Sequence, residues 1–255
     1  MAITTFSLEG KVAIVTGGSR GIGRSIAIGL AEQGADVAIV ARKPEALEEA
    51  VKSVEKLGRR AIAVSANVRR IEALGGIVDQ TVERLGRLDI LVNNAGTNPV
   101  FGPIQDIDER AWDVIMNTNV KQAHFLSNAA REAILIHGDG GSVINVSSVG
   151  GYSASDTIGG YSVSKAALIM LTQVQAKTWG IDGIRVNCIA PGLIKTEFAR
   201  ALWEDERNLR ATTANAALRR IGEPDEMAGA VVYLASPAAS FVTGQTLVLD
   251  GGRLL

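Results

Sequence analysis

One cysteine and two histidines in 255 residues leave little from which to build a disulfide framework or a metal centre. Cys188 has no partner in the chain, and its run Val186-Asn187-Cys188-Ile189-Ala190 predicts a buried, inert thiol. His124 and His137 form no ligand spacing with it, so no metal is expected. No apolar run is long enough to span a bilayer, and Met1-Ala2-Ile3-Thr4-Thr5-Phe6 lacks the basic and long apolar regions of a secretory leader. The ending Gly252-Arg253-Leu254-Leu255 is not the Ser-Lys-Leu peroxisomal address. These absences predict a cytoplasmic protein with no membrane partner. Charge excess is missing too. Lys+Arg 26 against Asp+Glu 27 gives a net charge of −1, which offers nothing to a nucleic acid.

What is present is an ordinary globular balance, 47% hydrophobic and 21% charged, enough to build a large core. Short apolar runs alternate with amphipathic stretches. The runs predict strands at Val12–Thr16, Asp36–Ala41, Ala61–Ser65, Ile90–Asn93, Ser142–Ser147, Arg185–Ala190 and Thr246–Leu249. Helices are expected near Ile22–Gln33, Pro44–Leu57, Ile71–Leu85, Asp108–Ile136, Tyr161–Trp179 and Pro224–Leu234. Pro44 and Pro224 suit a first helical turn, while Gly34, Gly58 and Gly86 suit helix ends. Strands apolar throughout and joined by helices predict a parallel sheet covered on both faces. No linker or repeat interrupts the pattern, so residues 1–255 are expected to form one α/β domain, doubly wound and Rossmann-type.

The first strand runs into Thr16-Gly17-Gly18-Ser19-Arg20-Gly21-Ile22-Gly23, and a helix follows. Glycines let the backbone approach a pyrophosphate, and a helix N-terminus offers unpaired N–H groups and a positive dipole end. The spacing is G-x-x-x-G-x-G rather than the commoner G-x-G-x-x-G. A nucleoside triphosphatase loop is a poorer match, because Arg24 stands before Ser25 where that loop needs lysine. The second strand ends Val40-Ala41-Arg42-Lys43, with no carboxylate to hold a ribose 2′-hydroxyl. Arg42, with Arg20 on the turn, suits a 2′-phosphate and so predicts NADP(H).

Tyr161 and Lys165 are four residues apart, on one face of a helix, and Ser148 lies thirteen residues upstream of the tyrosine. An ammonium beside a phenol favours phenolate, an arrangement suited to proton exchange with an alcohol or carbonyl oxygen. Hydride transfer to a carbonyl builds negative charge on its oxygen, and Ser148 and Tyr161 both offer donors to it.

Together these residues resemble the short-chain dehydrogenase/reductase family over almost the whole chain. The motifs arrive in family order: T-G-x-x-x-G-I-G at Thr16–Gly23, N-N-A-G at Asn93–Gly96, Asn119 seven residues after Trp112, Ser148, Y-x-x-x-K at Tyr161–Lys165 and P-G-x-I-x-T at Pro191–Thr196. The resemblance implies a three-layer sandwich around a seven-stranded parallel sheet, of strand order 3-2-1-4-5-6-7, assembled as a homotetramer. It implies that Tyr161 exchanges the proton, Lys165 bonds the nicotinamide ribose and holds Tyr161 acidic, Ser148 fixes the carbonyl oxygen, and Asn119 binds a water linking Lys165 to solvent. Ser147 is expected to be structural. By the same matching the cofactor is lined by Gly17, Ser19, Arg20, Gly21, Ile22, Gly23 and Arg42. Asn94, Ala95, Gly96, Pro191, Gly192, Ile194 and Thr196 continue that lining, with Tyr161 and Lys165. Asn67-Val68 replaces the family's frequent Asp-Val, so an amide oxygen must serve the adenine amine.

The segment at about 193–216 corresponds to the family's substrate lid. Leu193, Phe198, Leu202 and Trp203, facing Pro99, Phe101 and Tyr152, either wall an apolar pocket or anchor the lid to the body. With Arg219-Arg220-Ile221-Gly222-Glu223-Pro224 the lid is similar to that of the NADPH-dependent, peroxisomal-type carbonyl/retinal reductases. An apolar carbonyl or alcohol is the expected small-molecule substrate. The alternatives are a 3-oxoacyl-[acyl-carrier-protein] or 3-oxoacyl-CoA reductase, and a catalytically silent NADP(H)-binding scaffold or sensor. Ile134-Leu135-Ile136-His137-Gly138-Asp139 lacks the basic cluster that carrier-protein docking favours.

Overall fold

The computed structural model describes residues 5–255; residues 1–4 of the N-terminal stretch judged above lie outside the described residues. Seven strands, β1 (Val12–Thr16), β2 (Asp36–Ala41), β3 (Ala61–Ser65), β4 (Ile90–Asn93), β5 (Gly141–Val146), β6 (Ile184–Pro191) and β7 (Thr246–Leu249), form one parallel sheet. Its order is β3-β2-β1-β4-β5-β6-β7, as the resemblance implied. The helices are α1 (Gly21–Glu32), α2 (Pro44–Glu55), α3 (Leu74–Leu85), α4 (Glu109–Met116), α5 (Gln122–His137), α6 (Gly159–Trp179), α7 (Arg200–Trp203), α8 (Glu206–Asn215) and α9 (Ala228–Ala235).

Strand alternation divides the core in two. Ala13, Val15, Val37 and Ile39 face Ile26 and Leu30 of α1, Leu47 of α2 and Leu234 of α9. Val12, Ile14, Ala38 and Val40 face Ile77 of α3, Leu126 of α5 and Trp179 of α6. Gly29 lets α1 approach α9, since a Cβ there would lie 2.8 Å from that of Ala228. Because both faces are covered, every residue of β1 is buried.

Two buried carboxylates tie the N-terminal edge of the sheet. Asp36 accepts from Arg60, backbone and side chain, while Asp89 accepts from Val12 N–H, Lys11 and Arg87. The order reverses between β1 and β4, which opens a crevice at the opposite, C-terminal edge. The expected site residues collect along that edge.

Three elements differ from expectation. The helix anticipated over Asp108–Ile136 is split into α4 and α5 by a π-helical turn at Asn117–Lys121. Residues Ile71–Ala73 and Pro224–Met227 form 3₁₀ turns leading into α3 and α9. The segment at about 193–216 carries α7 and α8. No helix among the described residues is long and apolar enough to cross a membrane.

Candidate active site

The turn after β1 is shaped by bonds from β4. Thr16 Oγ1 accepts the N–H groups of Asn94 and Ala95, both at 3.0 Å. The Asn94 side chain donates to the carbonyls of Thr16 at 2.8 Å and Gly17 at 3.2 Å. Asn94 is therefore spent on holding the turn. A Cβ on Gly23 would lie 2.4 Å from both Asn94 Nδ2 and Gly17 O, so no larger residue fits. Gly21 has φ 53°, a left-handed value that suits glycine. No side chain caps α1 and its first turn holds no acid, so the leading N–H groups keep their donors. That donor set, on a turn free of Cβ atoms, fits a pyrophosphate.

Arg20 is exposed at the N-cap of α1, and Arg42 is exposed just past β2. Neither forms an ion pair among the described residues, which leaves both guanidinium groups free for a phosphate monoester. Ser19 and Ile22 complete the turn. Asn67 Oδ1 accepts from Arg69 N–H at 3.2 Å, an internal bond that competes with the adenine contact expected of it. Val68 is buried beneath.

On the other side of the crevice, β5 is followed by Ser147 and Ser148. The Ser147 hydroxyl donates to the Lys165 carbonyl at 2.8 Å, a structural bond as expected. Ser148 Oγ accepts from Gly150 N–H at 3.1 Å, which leaves its own proton free to donate elsewhere. A Cβ on Gly150 would lie 3.5 Å from Ser148 Oγ and 3.7 Å from the Tyr161 ring, so hydroxyl and ring converge there. Lys165 is 3% exposed; its Nζ donates to Val146 O at 2.8 Å and stands 5.4 Å from the Tyr161 ring centroid.

Burial governs the protonation of this pair. It pushes the Tyr161 phenol up to about 12, with a hydrogen bond to Ser148 acting the other way. It pushes Lys165 down to about 8. Desolvation is the larger of the two effects on the phenol and favours its protonated form. Cys188 is buried as expected, and burial pushes its thiol up to about 11.

Asn119 sits in the π-turn, 1% exposed. Its Oδ1 accepts from Thr97 N–H at 2.8 Å, and its Nδ2 donates to Thr97 O at 3.0 Å and Ser164 Oγ at 2.9 Å. The amide is thus engaged with Thr97 and Ser164. Turns of this kind are rare and occur frequently at functional sites. Gly96 lies beside this cluster: a Cβ on it would be 3.5 Å from Lys165 Nζ.

Beyond β6, Pro191 and Gly192 pack on the start of the C-terminal tail, Gly192 donating to Leu249 O at 2.9 Å. Ile194 is buried and bridges to Gly222. Thr196 reaches the phosphate turn, its Cγ2 3.3 Å from where a Cβ on Gly21 would stand. Trp203 Nε1 donates to Thr196 O at 2.8 Å, so Trp203 is an anchor. Phe198 is half exposed, with its ring centroid 6.2 Å from that of Tyr161. Phe101 and Tyr152 are half exposed as well. Sequence reasoning missed Thr16 and Ser164; the signal for Ser164 was its i+3 spacing from Tyr161.

Comparison with known proteins places the chain among related sequences and folds. The family model described as enoyl-(acyl carrier protein) reductase matches residues 17–253. Dehydrogenase/reductase SDR family member 4 of Bos taurus is 40% identical over 97% of this chain and 88% of its own length. The 2-dehydro-3-deoxy-D-gluconate 5-dehydrogenase of Escherichia coli K12 is 36% identical over 100% of this chain and 99% of its own. Among solved structures, one named as a short-chain alcohol dehydrogenase of Sinorhizobium meliloti has TM-score 0.94 and 42% identity, covering 98% of each chain. One from Beutenbergia cavernae, named as an NAD(P)-dependent gluconate 5-dehydrogenase, contains NADP (TM-score 0.92, 34% identity, 98% of each chain). Carveol dehydrogenase of Mycobacterium avium contains NAD (TM-score 0.93, 32% identity, 98% of each chain). Matched in sequence and fold over nearly its whole length, the chain belongs to the short-chain dehydrogenase/reductase family of oxidoreductases.

Proposed function

We propose that this protein is an NADP(H)-dependent carbonyl reductase that interconverts an apolar ketone or aldehyde and its alcohol. The observation that carries the reading is the convergence of Ser148, Tyr161 and a buried Lys165 beside an uncapped, glycine-lined helix N-terminus. The reduced nicotinamide dinucleotide, when bound, supplies the hydride. Gly17 to Gly23 would hold its pyrophosphate through backbone N–H groups, and Arg20 and Arg42 would hold the 2′-phosphate. Asn67, Val68, Asn94, Ala95 and Gly96 line its adenosine side, and Pro191, Gly192, Ile194 and Thr196 its nicotinamide side.

Ser148 donates to the substrate carbonyl oxygen and fixes its position. Tyr161 donates alongside it, then gives up its proton as negative charge grows on that oxygen. A donor of this kind is worth about 2.7–4 kcal/mol of transition-state stabilisation. Lys165 stabilises the resulting phenolate by its charge, and the π-turn at Asn119 holds the water through which the pair is reprotonated.

Phe198, Phe101 and Tyr152 favour an apolar or aromatic carbonyl, held under a lid of about residues 193–216. Val163, Met170 and Val174 expose apolar surface along α6, which supports association into a homotetramer. The test is loss of NADPH absorbance with an aromatic ketone, an α-dicarbonyl and a 3-oxoacyl thioester. Turnover of either of the first two is expected. Turnover of the thioester alone makes the protein a 3-oxoacyl reductase; NADPH binding without turnover of any makes it a sensor.

A further inference from the structure

Ser164 is fully buried, and no step of the proposed reduction touches it. Its hydroxyl donates to the Tyr161 carbonyl at 2.7 Å, one helical turn back, and accepts from Asn119 Nδ2 at 2.9 Å. Asn119 in turn grips both backbone polar groups of Thr97, at 2.8 and 3.0 Å. A chain of bonds therefore runs from the loop after β4, through the π-turn, to the backbone of Tyr161. Asn119 and Ser164 are 1% and 0% exposed, so a broken link would leave a donor with neither protein nor water to meet it.

A serine inside a helix competes with the backbone and needs a local reason to be there. The reason lies in what surrounds it. Ser147, from β5, bonds the Lys165 carbonyl just as Ser164 bonds that of Tyr161, so hydroxyls pin both ends of the same helical turn. Gly96, adjacent to Thr97, borders Lys165 Nζ and Asn119 Oδ1, where a Cβ would stand 3.5 and 3.6 Å from them. Rotation of the first turn of α6 would break every one of these contacts together.

We infer that Ser164 is a positioning residue: by joining Asn119 to the Tyr161 carbonyl it fixes the rotation of the first turn of α6 and so the placement of the Tyr161 hydroxyl. This rests on the reading of Tyr161 as proton donor. A displacement of about 1 Å at a reacting group can cost up to about 100-fold in rate.

The chain has three tyrosines, Tyr152, Tyr161 and Tyr233, so fluorotyrosine labelling gives three fluorine signals, and Tyr161→Phe identifies one of them. Ser164→Ala is expected to fold, to bind NADPH with unchanged affinity, to shift or broaden the Tyr161 signal without substrate present, and to lower kcat about 10- to 100-fold. KM for the carbonyl substrate should stay within about twofold, since the substrate contacts remain. Ser164→Thr, which keeps the hydroxyl, should return signal and kcat towards wild type. Ser164→Cys, of serine's size but a weak donor, should fall between alanine and serine. Wild-type kcat with an unmoved Tyr161 signal in Ser164→Ala would overturn the assignment. So would equal losses in all three variants with weakened NADPH binding, which mark a packing role alone. If Tyr161→Phe itself retains turnover, the reaction reading has failed; if it is inert while Ser164→Ala is fully active, only the positioning role has.

Discussion

Replacing Gly23 by alanine tests the phosphate turn from its geometry. The added Cβ would stand 2.4 Å from Gly17 O and 2.4 Å from Asn94 Nδ2, and the first of these is backbone that cannot swing aside. Forced overpacking of this kind costs about 1–3 kcal/mol, and each kcal/mol lowers Tm by about 2–4 °C in a chain of this size, so a fall of about 2–12 °C is expected. The sharper effect is on ligand linkage. NADPH at about 100 times its Kd should add about 2.7 kcal/mol to the wild type, a rise of about 5–11 °C. Gly23→Ala should lose that rise, because the turn that presents the N–H groups must move. Gly76→Ala is the control: no atom lies within 4 Å of the new Cβ, on the first turn of α3. It should gain about 0.4–1 kcal/mol and keep the full NADPH-induced rise. Thermal unfolding with and without NADPH reads both variants. A Gly23→Ala protein with wild-type Tm and an intact NADPH rise would refute the assignment of this turn.

Arg42→Asp should shift preference from NADPH towards NADH: loss of a charge-assisted bond worth about 1.5–3 kcal/mol predicts about 10- to 100-fold lower kcat/KM with NADPH. An unchanged ratio makes Arg42 a solvated bystander. Phe198→Ala should raise KM for aromatic ketones by about 2- to 10-fold with little change in kcat, the value of one aromatic pairing of about 0.5–1.5 kcal/mol; an unmoved KM would assign Phe198 to lid structure. Asp36 is held below the usual carboxylate range: burial opposes ionisation, but the Arg60 backbone and guanidinium bonds outweigh it. A depressed folded pKa stabilises the protein above the unfolded value of about 3.9 and ceases to do so as pH falls through the folded value. Asp36→Asn should therefore lower Tm at neutral pH and flatten the acid limb below about pH 4; parallel Tm–pH curves would contradict this.

The sheet and its order were legible because fully apolar strands such as Val12–Thr16 carry an unambiguous signal of two-sided burial. The glycine turn was equally legible, since its spacing follows from the approach of a backbone to an anion. The π-turn was not. Nothing in Asn117-Thr118-Asn119-Val120-Lys121 breaks helical periodicity; the turn is held by bonds to Thr97 and Ser164, each far away in sequence. Helix α8 was invisible to a search for apolar periodicity because none of its residues is buried, though Asp205 capping Asn208 N–H was a readable start signal. The upward push of burial on the Tyr161 phenol was not legible for a related reason. Spacing revealed the neighbouring amine, whereas desolvation depends on tertiary packing that spacing does not show.

The most direct test of the account is the single-turnover rate of Tyr161→Phe with NADPH and a reducible ketone, beside its NADPH affinity. Removing one hydroxyl should leave affinity unchanged and lower the rate by at least about 100-fold, the usual contribution of a positioned acid. A variant that reduces the ketone at close to the wild-type rate would mean the proton comes from elsewhere.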